Sequence, residues 1–197
     1  MKDSIVRIAI TLLDVDPAIW RRIEVPASFT LKELHDIIQA LMGWADYHLH
    51  HFQIGGIQYG EPTSEDRDIV SERKLKLSTL AIDGERAFDY VYDYGDNWCC
   101  VVVLEAIAPI VQGVSYPRLI EGARRGPLED IGGPWGYNEF LEAIADPKHE
   151  RHQELREWSG DDFNPTEFDA DEINRTLAQF SPRKGTRRKS VKSPITE

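Results

Sequence analysis

The stretch that decides the fold is AFDYVYDYGDNWCCVVVL, residues 87–104. Residues 87–94 and residues 98–104 alternate between apolar and other side chains in the manner of β-strands. The Gly-Asp-Asn sequence between them, residues 95–97, tolerates the positive φ that a tight turn demands. The sequence therefore predicts a β-hairpin whose turn is crowded with aromatic and acidic side chains.

The alternation assigns the side chains of this hairpin to two faces. Tyr92 and Tyr94 fall on one face of the first strand and Asp93 falls on the other. Asp96 lies in the turn and is free to point either way. We therefore expect that Asp93 or Asp96, but not both, reaches a neighbouring polar cluster, and that Trp98 and the tyrosines pack the sheet.

Working outward from the hairpin, alternating apolar residues predict three further strands, at residues 5–13, 19–25 and 47–54. Thr30 and Glu33 form a capping box before an apolar stripe, which predicts one early helix. Residues 112–125 are expected to be irregular. After Pro109 the spacing becomes helical, and Asp169 caps the last helix. Strands followed by helices predict an α+β fold class, a mostly antiparallel sheet with helices packed against it.

Composition predicts one folded unit and a basic tail. The chain has 197 residues, 41% of them hydrophobic, with a net charge of −11. We expect a single domain over residues 1–180. Six Lys and Arg side chains against one acid make residues 181–197 a basic, disordered tail. The acidic body argues against a broad nucleic-acid-binding face, so nucleic acid is expected as a partner only through the tail.

The two cysteines and the apolar segments indicate a cytoplasmic protein. Cys99 and Cys100 are adjacent, alternate across a strand and cannot easily pair with each other, as expected in a reducing compartment. The first residues have no apolar signal segment. The most apolar stretch, residues 101–111, is interrupted by Glu105 and Pro109 and is too short to span a bilayer. No membrane partner is expected.

A metal site is the first candidate for chemistry. His48 and His50 fall on one face of the predicted strand, as two imidazole ligands of one ion would. Asp96 is the expected third ligand, with Asp93 and Cys100 as alternatives, and such a set suits a divalent metal such as zinc. The competing interpretation is that the histidines are hydrogen-bonded to the same aspartates without an ion.

Three other features of the sequence are candidates for a functional site. Glu129 and Asp130 precede a Gly-rich turn into a helix, where their charge opposes anion binding and favours a structural cap. The same two carboxylates are an alternative acid–base pair. Cys99 or Cys100 is a nucleophile only if a histidine or helix terminus lowers its pKa, and a buried apolar role is the competing interpretation.

Five motifs in this order resemble the plasmid pRiA4b ORF-3-like family, also described as an insertion-element passenger TnpR family. They lie at residues 17–22, 42–44, 48–52, 92–98 and 129–137. The resemblance implies an α+β domain found on plasmids, mobile elements and prokaryotic chromosomes, and it implies no established activity. The TnpR label is interpreted as genomic association, because no serine-recombinase pattern is present.

The sequence departs from the family pattern at cysteine positions. The resemblance implies cysteines where this chain has Gly126, Ile131 and Arg118, and a histidine where it has Cys100. If relatives bind a metal through those cysteines, this chain has lost most of that set.

Two functions remain open at this stage. The first is a mobile-element-associated accessory protein, a binding module that recognises a protein or small ligand. Its candidate cluster comprises His48, His50, Asp93, Asp96, Trp98, Cys100, Glu129 and Asp130. The second is a metal-dependent hydrolase centred on His48, His50 and Asp93 or Asp96. We favour the first because known spacings assemble no complete catalytic constellation.

Overall fold

The computed structural model describes residues 3–63, 68–160 and 162–182. Its strands are β1 Ser4–Leu12, β2 Trp20–Pro26, β3 His50–Ile54, β4 Ile57–Gly60, β5 Val70–Ser71, β6 Ala87–Tyr92, β7 Trp98–Pro109 and β8 Arg118–Ala123. Its helices are α1 Leu31–Met42, α2 Leu77–Asp83, α3 Gly133–Ala145, α4 His152–Ser159 and α5 Ala170–Leu177, followed by a 3-10 turn at Ala178–Phe180. The strands form one sheet in the order β5-β4-β3-β6-β7-β1-β2-β8, antiparallel except between β4 and β5. The predicted α+β fold class is confirmed.

The predicted helix starts are confirmed at two positions. The Thr30 side chain accepts a hydrogen bond from the Glu33 backbone, and the Glu33 carboxylate accepts one from the Thr30 backbone, which completes the capping box. Asp169 accepts from the Glu172 backbone at the start of α5. These side chains satisfy amide groups that a helix leaves unpaired at its first turn, so the signal is local and readable in sequence.

The hairpin of β6 and β7 lies at the centre of the sheet and supplies much of the core. Trp98 is 0% exposed, as are Tyr90 and Tyr92. The Trp98 ring lies 6.0 Å from Trp44 and 6.3 Å from Tyr137, measured between ring centroids. The prediction that Trp98 packs the sheet is confirmed, and α3 covers it through Tyr137.

The predictions for two segments, residues 47–54 and residues 112–125, are wrong. β3 begins at His50, so His48 precedes the strand and the two histidines do not share a strand face. The stretch expected to be irregular contains β8, which pairs with β2. Its alternation is hidden by Gly122, where a Cβ would lie 2.7 Å from the Trp20 carbonyl oxygen and 2.9 Å from the Phe168 ring. Glycine is therefore required by packing, although it weakens the strand signal.

The predicted basic tail lies outside the described residues, apart from Ser181 and Pro182. Within the described residues, no helix is both long enough and apolar enough to cross a membrane. The limits proposed for the folded unit stay a prediction.

An ion network joins β1, β2 and β8 on one side of the sheet. The Glu24 carboxylate accepts hydrogen bonds from Arg7 at 2.7 Å and from Arg118 at 2.7 Å. Glu24 is 4% exposed. Burial alone would raise the pKa of Glu24, but the hydrogen bonds and charges of the two arginines outweigh it and lower that pKa below 4.5.

Glu24→Gln is expected to lower Tm near neutral pH and to lose this effect in acid. A lowered pKa in the folded state stabilises the protein above the ordinary carboxyl pKa, and this contribution disappears as pH falls through the lowered value. The Tm difference between wild type and variant should therefore shrink between about pH 5 and about pH 3. Thermal melts across this range measure it, with Glu150→Gln, an exposed glutamate, as the control. A difference that does not change with pH would contradict the prediction.

Candidate functional site

Residues 44–49 leave α1 and reach β3 as a loop anchored by side chains. The backbone N–H of Ala45 donates to Glu129 Oε1 at 2.8 Å, and that of Asp46 donates to Gln39 Oε1 at 3.0 Å. Asp46 has a φ of 57°. Because these contacts use the backbone groups that a strand would pair, the loop turns away from the sheet and carries His48 out of phase with β3.

Asp93 follows the last residue of β6 and turns its carboxylate toward this loop. Its φ of 57° breaks the strand alternation, and its backbone N–H donates to the Leu49 carbonyl at 2.9 Å. Its Oδ1 accepts from the Gly95 N–H at 2.9 Å. Asp93 is 7% exposed. The prediction that Tyr92 and Asp93 belong to opposite faces is wrong at this position, since both side chains reach the same cluster.

A third segment, residues 129–133, brings two more carboxylates. Glu129 Oε1 accepts from Ala45 and, at 3.0 Å, from the Tyr92 hydroxyl. Asp130 has a φ of 58°. Burial, and then the hydrogen bond to Glu129, raises the pKa of Tyr92, so this phenol stays protonated and donates. Glu129 is thus held by one oxygen while its other oxygen faces His48.

Four side chains converge at one point, which we name the His48 cluster: His48, Asp93, Glu129 and Asp130. Nε2 of His48 lies 3.4 Å from Asp130 Oδ1, 3.6 Å from Asp93 Oδ2 and 3.9 Å from Glu129 Oε2. These separations are longer than N–H···O hydrogen bonds. Nε2 of His48 and Oε2 of Glu129 are both buried and have no hydrogen-bond partner among the described residues. The cluster therefore brings three carboxylates and one imidazole nitrogen together without a hydrogen bond between them.

A second cluster surrounds His35, which is 0% exposed. The Tyr90 hydroxyl accepts from Gln39 at 3.0 Å and lies 2.8 Å from His35 Nδ1. The Asp46 carboxylate can only accept, so Nε2 of His35 carries the ring proton and donates to Oδ1 at 3.0 Å, and Nδ1 accepts from the Tyr90 hydroxyl. Burial lowers the pKa of His35 to about 2, with smaller contributions from the charges of His50 and Lys32. The neutral His35 ring donates to Asp46, and Asp46 in turn shapes the 44–49 loop.

His50 belongs to this second cluster and not to the His48 cluster. Its ring stacks on His35 at 3.5 Å between centroids and 9° between planes. Its Nε2 lies 2.9 Å from Oε2 of Glu72, a carboxylate that is 0% exposed. His35, Asp46 and His50 offer atoms close enough to share an ion. An ion bound to both rings would have to lie in both ring planes, which parallel rings this far apart do not allow. We therefore assign the second cluster a structural role.

The other predicted site residues lie elsewhere. Asp96 Oδ2 accepts from the Gly132 N–H at 3.1 Å and so joins the hairpin turn to the 129–133 segment. Cys100 is 0% exposed, and burial raises the pKa of its thiol, which opposes a nucleophilic role. Trp98 lies in the core. The structure thus brings together His48, Asp93, Glu129 and Asp130 and separates them from His50, Asp96, Trp98 and Cys100.

Sequence reasoning missed the groups that orient this cluster. Tyr92 was expected only to pack, yet its hydroxyl holds Glu129 and accepts from the Tyr47 N–H at 3.2 Å. His35, which is buried inside α1, is not among the predicted site residues. The usable signal was the placement of aspartates at turns, because Asp tolerates positive φ more readily than most residues.

The fold and the His48 cluster define a class: an α+β protein in which three loops at one end of a central hairpin present a polar cluster. The chain belongs to the family of the plasmid pRiA4b ORF-3-like protein, whose model matches residues 4–172. It is 40% identical over 180 residues to "Uncharacterized protein y4hQ" of Sinorhizobium fredii, covering 90% of this chain and 92% of that protein. It also resembles the crystal structure of the protein of unknown function MM3350 from Methanosarcina mazei Go1. That likeness has 40% identity and a TM-score of 0.81, over 86% of this chain and 97% of the other.

Proposed function

We propose that this chain is a binding module and that the His48 cluster binds a cationic ligand. The observation that carries the proposal is that two of the buried atoms without hydrogen-bond partners in the described part of the chain, His48 Nε2 and Glu129 Oε2, lie 3.9 Å apart. A buried polar atom left unsatisfied costs about 1–3 kcal/mol, so native proteins rarely keep two side by side without use. A ligand that supplies positive charge satisfies both atoms.

The charge of the cluster supports a cation over other ligands. Three carboxylates face one imidazole nitrogen, and the closest approach among these contacts is 3.4 Å, from His48 to Asp130. Nε2 stands back from all three carboxylates, at 3.4–3.9 Å, which leaves room for a cation among the four side chains. An anion or a neutral acceptor would meet only repulsion here.

A metal-dependent hydrolase is the second candidate function, and one observation favours it. Glu129 and Trp44, but not His48, Asp93 or Asp130, line a groove of about 870 Å³, large enough for a small substrate. The charge of the cluster favours binding instead. Three carboxylates would offset the positive charge of a divalent ion, whereas three neutral histidines would not. An ion held by carboxylates therefore lowers the pKa of a bound water less.

The proposal is tested by thermal melts of the untagged protein in the presence of cations. Divalent metal ions, spermidine and guanidinium should be compared at constant ionic strength. We expect at least one to raise Tm by several degrees, because a ligand that binds only the folded state stabilises it. The Asp93→Asn/Glu129→Gln double variant should lose the response. If no cation raises Tm beyond potassium chloride of equal ionic strength, the proposal fails.

Two broader expectations belong to the proposal. The mobile-element association has its support in the plasmid origin of the protein after which the family is named. A cytoplasmic location is supported by the two free cysteines, Cys99 and Cys100. The cation-binding proposal depends on neither.

A further inference from the structure

We infer that the ligand of the His48 cluster is a divalent first-row transition metal ion held by His48, Asp93, Glu129 and Asp130. This inference rests on the proposed function and narrows it, since a cation site could equally take an ammonium or guanidinium group. Three features of the cluster separate a metal ion from an organic cation: its dimensions, the imidazole ligand and the way each carboxylate is held.

The dimensions of the cluster match a coordination shell. Zinc–nitrogen and zinc–oxygen bonds are about 2.0–2.2 Å, so two ligand atoms of a tetrahedral site lie about 3.4 Å apart. Nε2 of His48 lies 3.4 Å from Asp130 and 3.6 Å from Asp93. The ligand atoms of these three residues all lie within 4.8 Å of one another. Glu129 Oε2 lies 3.9 Å from His48 Nε2 but is not within 4.8 Å of both aspartate oxygens, so Glu129 joins the same shell only if its side chain moves toward them.

The imidazole selects the class of ion. An unprotonated ring nitrogen is a good ligand for Zn²⁺, Mn²⁺ or Fe²⁺ and a poor one for Mg²⁺ or Ca²⁺, which prefer all-oxygen sites. An ammonium or guanidinium group would reach the carboxylates and Nε2 through hydrogen bonds of about 2.7–3.2 Å, which need a wider cluster than direct coordination does. The buried position of Nε2, with no partner of its own, therefore favours a transition metal.

Each buried carboxylate is oriented by a hydrogen bond to the oxygen that does not face His48. Asp93 Oδ1 accepts from the Gly95 N–H at 2.9 Å. Glu129 Oε1 accepts from the Ala45 N–H at 2.8 Å and from the Tyr92 hydroxyl at 3.0 Å. Such outer contacts fix the free oxygen toward an ion and are typical of metal centres.

The backbone supports the same interpretation. Asp93 and Asp130 both have positive φ, at 57° and 58°. Aspartate tolerates this conformation better than most residues, and here it turns both carboxylates toward His48. A bound ion would offset the mutual repulsion of the three carboxylates.

Isothermal titration of the untagged, chelator-treated full chain with Zn²⁺ and Mn²⁺ tests the inference. We expect one ion per chain and, at a hundredfold excess over Kd, a rise in Tm of roughly 5–10 °C. Asp93→Asn and Glu129→Gln keep the hydrogen bonds to Gly95 and to Ala45 while removing a charge. Each should weaken metal binding by roughly a hundredfold or more. Neither should lower the Tm of the metal-free protein, because each removes repulsion.

The controls use the same substitutions away from the cluster. Asp89→Asn, on an exposed aspartate of β6, and Glu150→Gln, on an exposed glutamate after α3, should leave metal affinity unchanged. Metal affinity that survives Asp93→Asn and Glu129→Gln overturns the assignment of ligands. Equal affinity for Ca²⁺ and Zn²⁺ overturns the transition-metal class.

The organic cations separate failure of the inference from failure of the proposed function. If spermidine or guanidinium raises Tm and no metal ion binds, the metal inference is wrong and the cation-binding function stands. If neither metal ions nor organic cations bind, both are wrong.

Discussion

Replacing Arg21 with methionine is expected to cost about 3–5 kcal/mol of folding free energy, enough to unfold an ordinary domain near its working temperature. Arg21 is 1% exposed. Its guanidinium donates to four backbone carbonyls, at 3.1 Å to Leu41 and at 2.8 Å each to Trp20, Ala123 and Arg124. The side chain thereby joins the end of α1 to β2, β8 and the segment that leads to the His48 cluster.

The size of the effect follows from what the substitution leaves behind. Methionine fills much of the volume but donates no hydrogen bond, so several carbonyls lose their partner at about 1–3 kcal/mol for each one that stays buried. The Leu41 carbonyl lies at the C-terminus of α1, where the helix dipole favours a cation. Burial lowers the pKa of Arg21 to about 10, which leaves it charged at neutral pH.

Urea denaturation followed by circular dichroism measures the loss. The neighbouring Arg22 provides a matched control, since it is on the same strand but pairs with Glu105 and Glu121 at the surface. Arg22→Met should change the midpoint far less. Arg21→Lys should recover only part of the loss, because an ammonium cannot reach carbonyls arranged around a planar fork. Equal losses for Arg21→Met and Arg22→Met would contradict this account.

Gly133→Ala is expected to destabilise the protein by about 3 kcal/mol or more and to disrupt the His48 cluster. Gly133 has a φ of 68°, and a Cβ added there would overlap the carbonyl oxygen of Asp96. Because backbone atoms form both sides of this contact, only a shift of the 129–133 segment away from the hairpin turn relieves it. Glu129 and Asp130 would move with it, so metal affinity should fall together with Tm.

Gly113→Ala separates the steric effect from the cost of positive φ. Gly113 has a φ of 86°, and a Cβ there would meet nothing within 4 Å. Its substitution should cost only the conformational penalty, about 1–2 kcal/mol. Thermal melts of both variants measure the difference. If Gly133→Ala is no worse than Gly113→Ala, the packing of the 129–133 segment on the hairpin is not what positions the cluster.

The packing at Gly126 is relevant to the departure from the family's cysteine pattern. The resemblance implies a cysteine at Gly126, yet a Cβ there would overlap the Met42 carbonyl oxygen. A side chain at this position would push residues 126–129 away from the end of α1. In this chain the backbone at Gly126 packs directly against Met42, and the polar groups that converge nearby are those of the His48 cluster.

Much of the fold was readable because its signals are local. The Thr30 capping box and the Asp169 cap depend on residues three apart, and the alternation along residues 98–104 needs only the period of a strand. The resemblance to the family also held, because it rests on ordered motifs. The sequence does not predict β8, because Gly122 is required by its close contacts with Trp20 and Phe168, which are distant in sequence.

The sequence by itself determined the α+β class, the central hairpin and the residues available for chemistry, His48, Asp93, Glu129 and Asp130 among them. The tertiary structure decided which of these residues meet. Hydrogen bonds across long sequence separations, such as Ala45 to Glu129, pull the 44–49 loop out of strand geometry and separate His48 from His50. Positive φ at Asp93 turns its carboxylate to the side of Tyr92. Strand periodicity cannot anticipate either effect, because both arise where the chain leaves the strand to satisfy contacts made by another segment.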